Sequence, residues 1–91
     1  LFVTPEYNRG IPGPLKNALD WGTRPYGQSC WTAKPAAIAG ASPGPIGASL
    51  AQNQLRTMVA GHMNMPTLGQ PEMYIAWKDG MVDSNGAFTD D

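Results

Sequence analysis

Two loop segments carry most of the residues that could do chemistry in this 91-residue chain. The first, residues 4–8, reads Thr-Pro-Glu-Tyr-Asn and follows a short apolar run at residues 1–3. The second, residues 42–47, is rich in glycine and proline and follows a run of small apolar residues at 35–41. Open α/β sheets bind ligands where such loops leave the carboxyl ends of their strands. The two loops are therefore the predicted ligand site.

The other reactive side chains favour structural roles. A loop carboxylate such as Glu6 is more often a solvated or capping group than an acid–base catalyst. His62 follows a helix end, where an imidazole facing the helix dipole is more common than a ligand or a base. Cys30 has no histidine or second cysteine beside it, which favours a passive thiol. Residues 83–86 lack the first acid of a calcium loop. We expect no catalytic side chain and no metal site.

Proline and glycine delimit the elements around the first loop. Pro5 has no backbone N–H to donate to a sheet, so the first strand should end there. Pro14 suits the first position of a helix, where a missing N–H costs nothing. Apolar or small residues then recur at three- and four-residue spacing, which predicts an inward helix face. These residues are Leu15, Ala18, Leu19 and Gly22.

A second helix is predicted over about residues 50–60. Ser49 and Gln52 have the spacing of a capping box, and Gly61 suits the C-terminal stop. The residues expected to face the sheet share helical spacing. They are Ala51, Leu55, Met58 and Val59.

A third strand is predicted at residues 73–77, before the turn dipeptide Asp79-Gly80. With the strand candidates at residues 1–3 and 35–41, the element order becomes β-α-β-α-β. Short strands that alternate with helices are typical of α/β proteins with a parallel sheet and right-handed crossovers. The sequence therefore predicts an α/β fold.

The two ends of the sequence predict a piece of a longer domain. The chain has no initiator methionine and opens inside an apolar strand, and residues 89–91 resemble an N-cap and first helical turn. A three-stranded parallel sheet would leave residues 1–3 at an exposed edge, which natural proteins avoid. We expect residues 1–91 to be one partial domain that lacks an N-terminal part and a C-terminal helix. The alternative is a small complete domain whose edge is covered by a partner chain.

Charge and composition argue against several classes of partner. The net charge is −1 with only six Lys and Arg residues, which gives no electrostatic footprint for nucleic acid or an anionic membrane. No run of 18 apolar residues is present, so no membrane-spanning segment is predicted. The single cysteine excludes an intrachain disulfide and fits a reducing cytoplasm.

The first loop and the helix behind it also carry a family resemblance. Residues 4–8, followed by Ile-Pro-Gly-Pro-Leu-Lys-Asn-Ala-Leu-Asp-Trp at 11–21, closely resemble the NADPH-dependent FMN reductase family, which includes bacterial chromate and quinone reductases. The likeness continues through Thr-Arg-Pro-Tyr-Gly at 23–27 and Gly-Ala-Ser-Pro-Gly at 40–44, and it reaches residues 69–72. It implies a flavodoxin-like, three-layer α/β/α fold in which this chain supplies strands 3–5 and helices 3–4. The loop that grips the FMN phosphate would then lie upstream of residue 1.

The resemblance implies that both loops contact the ring system of FMN. In the first loop, backbone N–H groups would donate to the flavin edge and Tyr7 would flank the ring. In the second loop, glycine lets the backbone approach the pyrimidine end of the ring. Gly10 stands where many relatives have a hydroxyl residue, which leaves backbone contacts there. The implied cofactor-binding residues are Pro5, Glu6, Tyr7, Asn8, Ala41, Ser42, Pro43 and Gly44.

The activity implied by the resemblance is ping-pong electron transfer from NADPH through FMN to a small-molecule acceptor, such as a quinone, an azo or nitro compound, or chromate. A homodimer or homotetramer is also implied, with Trp21, Arg24 and Tyr26 near subunit contacts. One alternative is a flavodoxin-type electron carrier, although such carriers are strongly acidic and this chain is not. Another is an inactive fragment with a structural or interaction role, because the phosphate contacts are a large share of the site.

Overall fold

A computed structural model describes residues 1–89, so most of the N-cap turn predicted at 89–91 lies outside the described residues. The elements confirm the β-α-β-α-β order. They are β1 (Phe2–Thr4), α1 (Gly13–Gly22), β2 (Ile38–Ser42), α2 (Ser49–Val59) and β3 (Tyr74–Ala76). Neither α1 nor α2 is long and apolar enough to cross a membrane.

The three strands form one parallel sheet in the order β1-β2-β3. In the register, Thr4 of β1 lies beside Gly40 of β2, and Gly40 lies beside Tyr74 of β3. Because the strands are parallel, their carboxyl ends lie at one edge of the sheet. The connections that follow β1 and β2 therefore leave from the same edge, as predicted.

Both helices pack on one face of the sheet. A single apolar cluster contains Leu19 of α1, Leu55 and Val59 of α2, and Ile38 of β2. Residues 1–89 thus form two of the three layers expected of a flavodoxin-like domain. On β1, the side chain of Val3 points away from this cluster and the residue is 68% exposed. This face of β1 is therefore uncovered, and the order β1-β2-β3 places the first strand at an edge, as the sequence predicts for a three-stranded sheet.

The inward face of α1 is narrower than predicted. Leu19 is buried and Leu15 packs against the core, but Ala18 is exposed. Gly22 also faces inward, because a Cβ at this position would collide with the indole of Trp31. That indole donates its N–H to the carbonyl of Leu19 at 3.0 Å. The Trp31 ring therefore covers the end of α1, and the helix buries only one stripe.

The capping box predicted for α2 does not form. The N-cap residue is Ala48, in the left-handed conformation with φ of +62° and no side-chain cap. Gln52 is fully buried, and its Nε2 donates to the carbonyls of Met73 at 2.8 Å and Gly47 at 3.5 Å, whereas a capping box would need its Oε1 to accept from the N-cap N–H. The first turn is instead bonded from outside, in part by Ser42 Oγ, which accepts from the N–H of Ala48 at 3.0 Å.

The strand boundaries differ from the prediction by a few residues. β2 begins at Ile38 rather than at residue 35, because Ala36 pairs with the segment around Thr67 instead of with β1. The N–H of Ala36 donates to the carbonyl of Pro66, and its carbonyl accepts from Leu68. β3 is confined to Tyr74–Ala76.

Gly47 lets the second loop pass close to β3. Its φ is +57°, and a Cβ there would lie 2.6 Å from the carbonyl carbon of Tyr74. We expect Gly47→Ala to lower the free energy of unfolding by about 2 kcal/mol or more, through left-handed strain and backbone collision. Gly44→Ala is the matched control, because a Cβ at Gly44 meets open space. Urea denaturation of both variants checks this, and equal stabilities would contradict the close approach.

Candidate functional site

The two loops predicted to bind a ligand meet at one open cleft of about 270 Å³. It lies at the carboxyl edge of β1 and β2, where an open parallel sheet is expected to bind its ligand. Five of the predicted residues line it, namely Glu6, Asn8, Ser42, Pro43 and Gly44. The cleft therefore brings together the central residues of both loops.

The other three predicted residues lie beside the cleft without lining it. Pro5 is exposed, and its carbonyl accepts from the hydroxyl of Thr4 at 2.8 Å. Tyr7 is 63% exposed at the base of a turn, and Ala41 lies within β2. A flat ligand larger than the cleft could still contact Tyr7, so the assignment of these residues stays a prediction.

The first loop is built as a tight hairpin. Tyr7 and Gly10 exchange two backbone hydrogen bonds, both at 2.9 Å, and the residues between them have positive φ, +51° at Asn8 and +66° at Arg9. Two central residues with positive φ define a type I′ turn. Within residues 1–89 no backbone carbonyl accepts from the N–H of Asn8 or Arg9. Two residues that line the cleft therefore carry N–H groups without a backbone acceptor.

Glu6 connects this loop to α2. Its Oε1 accepts from the backbone N–H of Ala51 at 2.9 Å, and its side chain is only 7% exposed. Arg9 Nη1 lies 3.7 Å from the other carboxylate oxygen. The negative charge thus lies at the N-terminal end of α2, where the helix dipole stabilises it. Because a carboxylate already fills this position, the start of α2 is poorly suited to a second anion, and the cleft suits an uncharged group.

The second loop leaves room for a flat ligand. Gly47 donates its N–H to the carbonyl of Gly44 at 3.2 Å, which closes a tight turn. A Cβ added at Gly44 would meet nothing within 4 Å, so the space beside its backbone is open. Ser42 Oγ accepts from Ala48, which leaves its hydroxyl proton free to donate. These features fit a planar ring that has acceptors along its edge.

The cleft is also lined by two residues that the sequence does not single out, Arg9 and Ile46. Arg9 directly follows the motif at residues 4–8, and this adjacency was the available signal. Its left-handed backbone was not foreseeable, because glycine normally occupies the second central position of a type I′ turn. Ile46 was read only as part of a turn.

A larger hollow of about 860 Å³ lies elsewhere, along α1 and at the C-terminal end of α2. Trp21, Arg24, Tyr26 and His62 are among its lining residues. Trp21 is 72% exposed and Tyr26 is 90% exposed. This hollow lies away from the carboxyl ends of the strands, so its greater size does not make it the better ligand site. Exposed aromatic residues beside an arginine are more typical of a protein contact.

No metal centre is formed in the part of the chain that the structure describes. Residues 1–89 contain no group of three His, Cys, Asp or Glu side chains that could hold a metal ion. His62 and Cys30 are both exposed. Glu6 is the carboxylate in the cleft, and it is engaged as a helix cap, the role that the sequence favoured over acid–base catalysis.

Arg9 adopts a backbone conformation that glycine would relieve. We expect Arg9→Gly to raise the free energy of unfolding by about 0.5–1 kcal/mol, because the left-handed region strains any residue with a Cβ. Ala33→Gly is the matched control, since Ala33 has a φ of +65° away from the cleft. Urea denaturation measures both variants. Stabilisation by Ala33→Gly alone would show that the Arg9 side chain contributes to the fold, against this expectation.

Comparison with known proteins places this geometry in a family. The model of the NADPH-dependent FMN reductase family matches residues 1–79. A 2-hydroxy-1,4-benzoquinone reductase from Burkholderia sp is 54% identical over 86 residues, which are 94% of this chain and 46% of that protein. A quinone reductase from Pseudomonas putida is 47% identical over 90 residues, 99% of this chain and 48% of the relative.

A solved structure shares the fold as well. FerB from Paracoccus denitrificans, a flavoenzyme NAD(P)H:(acceptor) oxidoreductase, matches 97% of this chain with a TM-score of 0.89 and 50% sequence identity. The match covers 48% of that chain, so the 91 residues span about half the length of the proteins they resemble. By sequence and by structure, the chain belongs to the NADPH-dependent FMN reductase family.

Proposed function

We propose that the protein containing this chain is an FMN-dependent oxidoreductase that passes electrons from NADPH to a quinone. The observation that carries the proposal is the meeting of both motif loops in one cleft at the carboxyl edge of the sheet. Membership of the FMN reductase family and relatives named quinone reductases support it. We further propose that residues 1–91 are one part of a flavodoxin-like domain and contribute its ring-binding side.

The residues of the cleft would bind and orient FMN rather than react. The backbone N–H groups of Asn8 and Arg9 would donate to acceptors on the ring edge, and the hydroxyl of Ser42 is a further donor. The open backbone at Gly44 would let the ring approach the second loop. FMN, when bound, supplies hydride acceptance and electron transfer, so no side chain of this cleft needs to act as an acid or a base.

The finer assignments are proposals of the same kind. The cofactor site would comprise Pro5, Glu6, Tyr7, Asn8, Ala41, Ser42, Pro43 and Gly44. The acceptors would include azo or nitro compounds and chromate besides quinones. The protein would act in the cytoplasm as a homodimer or homotetramer. The exposed aromatic residues around the larger hollow, Trp21 and Tyr26, are the candidate subunit contacts.

The visible spectrum tests the proposal most directly. The protein is expressed with any natural sequence that flanks these residues and is purified without added flavin. It should be yellow and show the visible absorbance of oxidised flavin. We expect the absorbance to bleach on addition of NADPH and to return on addition of a quinone, while NADPH and quinone without protein serve as the control. A colourless protein that cannot be loaded with FMN would overturn the proposal.

Asn8 offers a test of the proposed ring contact. An aspartate there keeps the size of the side chain and tolerates the left-handed backbone, but it adds a negative charge beside the ring. We expect Asn8→Asp to lower the two-electron midpoint potential of the flavin by on the order of 30 mV, because a negative charge beside the ring disfavours the reduced flavin. Asn53→Asp, on the exposed side of α2, is the charge-matched control. Equal potentials in the two variants would remove Asn8 from the site.

A further inference from the structure

The first loop and the residues that continue it to Ile11 are held to α2 at two points. Near its start, Glu6 Oε1 accepts from the N–H of Ala51 at 2.9 Å. Just after the hairpin turn that ends at Gly10, the N–H of Ile11 donates to Gln54 Oε1 at 2.8 Å. These bonds join residues that are 45 and 43 positions apart in the sequence. They therefore fix the loop relative to a distant element rather than shaping it locally.

The helix that receives these bonds is itself firmly anchored. Leu55 and Val59 are fully buried in the core. Gln52 is also fully buried, and its amide is bonded to the carbonyl of Met73 beside β3. A helix packed in this way can act as the fixed support for a loop. The hairpin bonds between Tyr7 and Gly10 set the shape of the loop tip, but they do not set its direction.

Gly10 lies directly beside the second bond. A Cβ at this position would lie 2.9 Å from Gln54 Oε1, in the path of the bond to Ile11. With a larger residue at position 10, the amide end of the Gln54 side chain would have to shift. Gly10 is not a positive-φ position, so alanine is compatible with its backbone. The contact can thus be perturbed from the loop side without substituting a residue of α2.

We propose that Glu6 and Gln54 are positioning residues that orient the first loop toward the flavin, and that α2 is the support against which they do so. The proposal rests on the proposed function, since it concerns the same cleft. Glu6 acts through its acceptor oxygen on Ala51, and its charge is held by the helix N-terminus and by Arg9 at 3.7 Å. On this proposal, the N–H groups of Asn8 and Arg9 would face the bound ring only while both bonds hold.

The test measures FMN affinity and amide exchange on the protein with its natural flanking sequence. Glu6→Ala and Gln54→Ala each remove one bond, and we expect each to weaken FMN binding by about fivefold or more in a fluorescence titration. Glu6→Gln keeps an acceptor oxygen and should restore the affinity to within about twofold. Asn53→Ala, an exposed substitution on the same helix, is the matched control. Hydrogen exchange at Ala51 should accelerate in Glu6→Ala and stay slow in Glu6→Gln.

A double-mutant cycle separates the second bond from general damage to α2. Gly10→Ala should weaken FMN binding by no more than Gln54→Ala does, and the double variant should lose little beyond Gln54→Ala, because both changes act on one contact. Additive losses would overturn the role of Gln54. This cycle also carries the test if Glu6→Ala does not fold.

The outcomes distinguish the positioning role of Glu6 and Gln54 from the proposed function. An unmodified protein that takes up no FMN would refute the proposed function, whereas the exchange rates of Ala51 would still test the bond to Glu6. If the protein binds FMN and both alanine variants bind it equally well, the positioning role is overturned. A loss of FMN affinity in Glu6→Gln as large as in Glu6→Ala would also overturn it. The affinity would then depend on the charge of Glu6 rather than on its hydrogen bond to Ala51.

Discussion

The first turn of an α-helix exposes backbone N–H groups that the helix cannot satisfy by itself, and α2 meets this constraint with acceptors taken from two loops. Ser42 Oγ accepts from Ala48, and Glu6 accepts from Ala51. Ala48 has a left-handed backbone and offers no side-chain cap, so the start of the helix depends on these outside groups. The same bonds hold the two loops at a fixed separation. The solution to a problem of helix capping therefore also builds the cleft.

This arrangement requires the first turn of α2 to lie close to strand β2. Gly40 of β2 provides the space, because a Cβ there would lie 2.5 Å from the carbonyl oxygen of Thr4 and 3.2 Å from the Cβ of Ala48. With glycine at this position, the first turn of α2 can approach the end of β1. Ala51 then lies within reach of Glu6. The parallel pairing of Thr4 with Gly40 and the cap by Glu6 are thus two parts of one geometry.

Sequence patterns predicted the elements well and the polar bonds between them poorly. Helical spacing identified the buried residues of α2, such as Leu55, because apolar periodicity reflects packing directly. The capping-box spacing misled, because the N-cap residue is Ala48 rather than Ser49, and Gln52 is buried with its Nε2 donating to the carbonyl of Met73. No local pattern could reveal that Glu6 caps a helix 45 residues away. The tight turn at Asn8 and Arg9 was missed because its usual sequence signal is absent: Arg9 occupies the position where a type I′ turn normally has glycine.

The charges of the cleft bear on which ligands it suits. Glu6 is compensated by the dipole of α2 and by Arg9, so the cleft carries little uncompensated charge near its floor. Its donors are backbone N–H groups, which recognise acceptor atoms without requiring a particular charge. Such a surface selects a planar ring by shape and edge contacts rather than by ion pairing. The reactive group would then come with the cofactor, and the chain would contribute direction and a fixed distance between two loops.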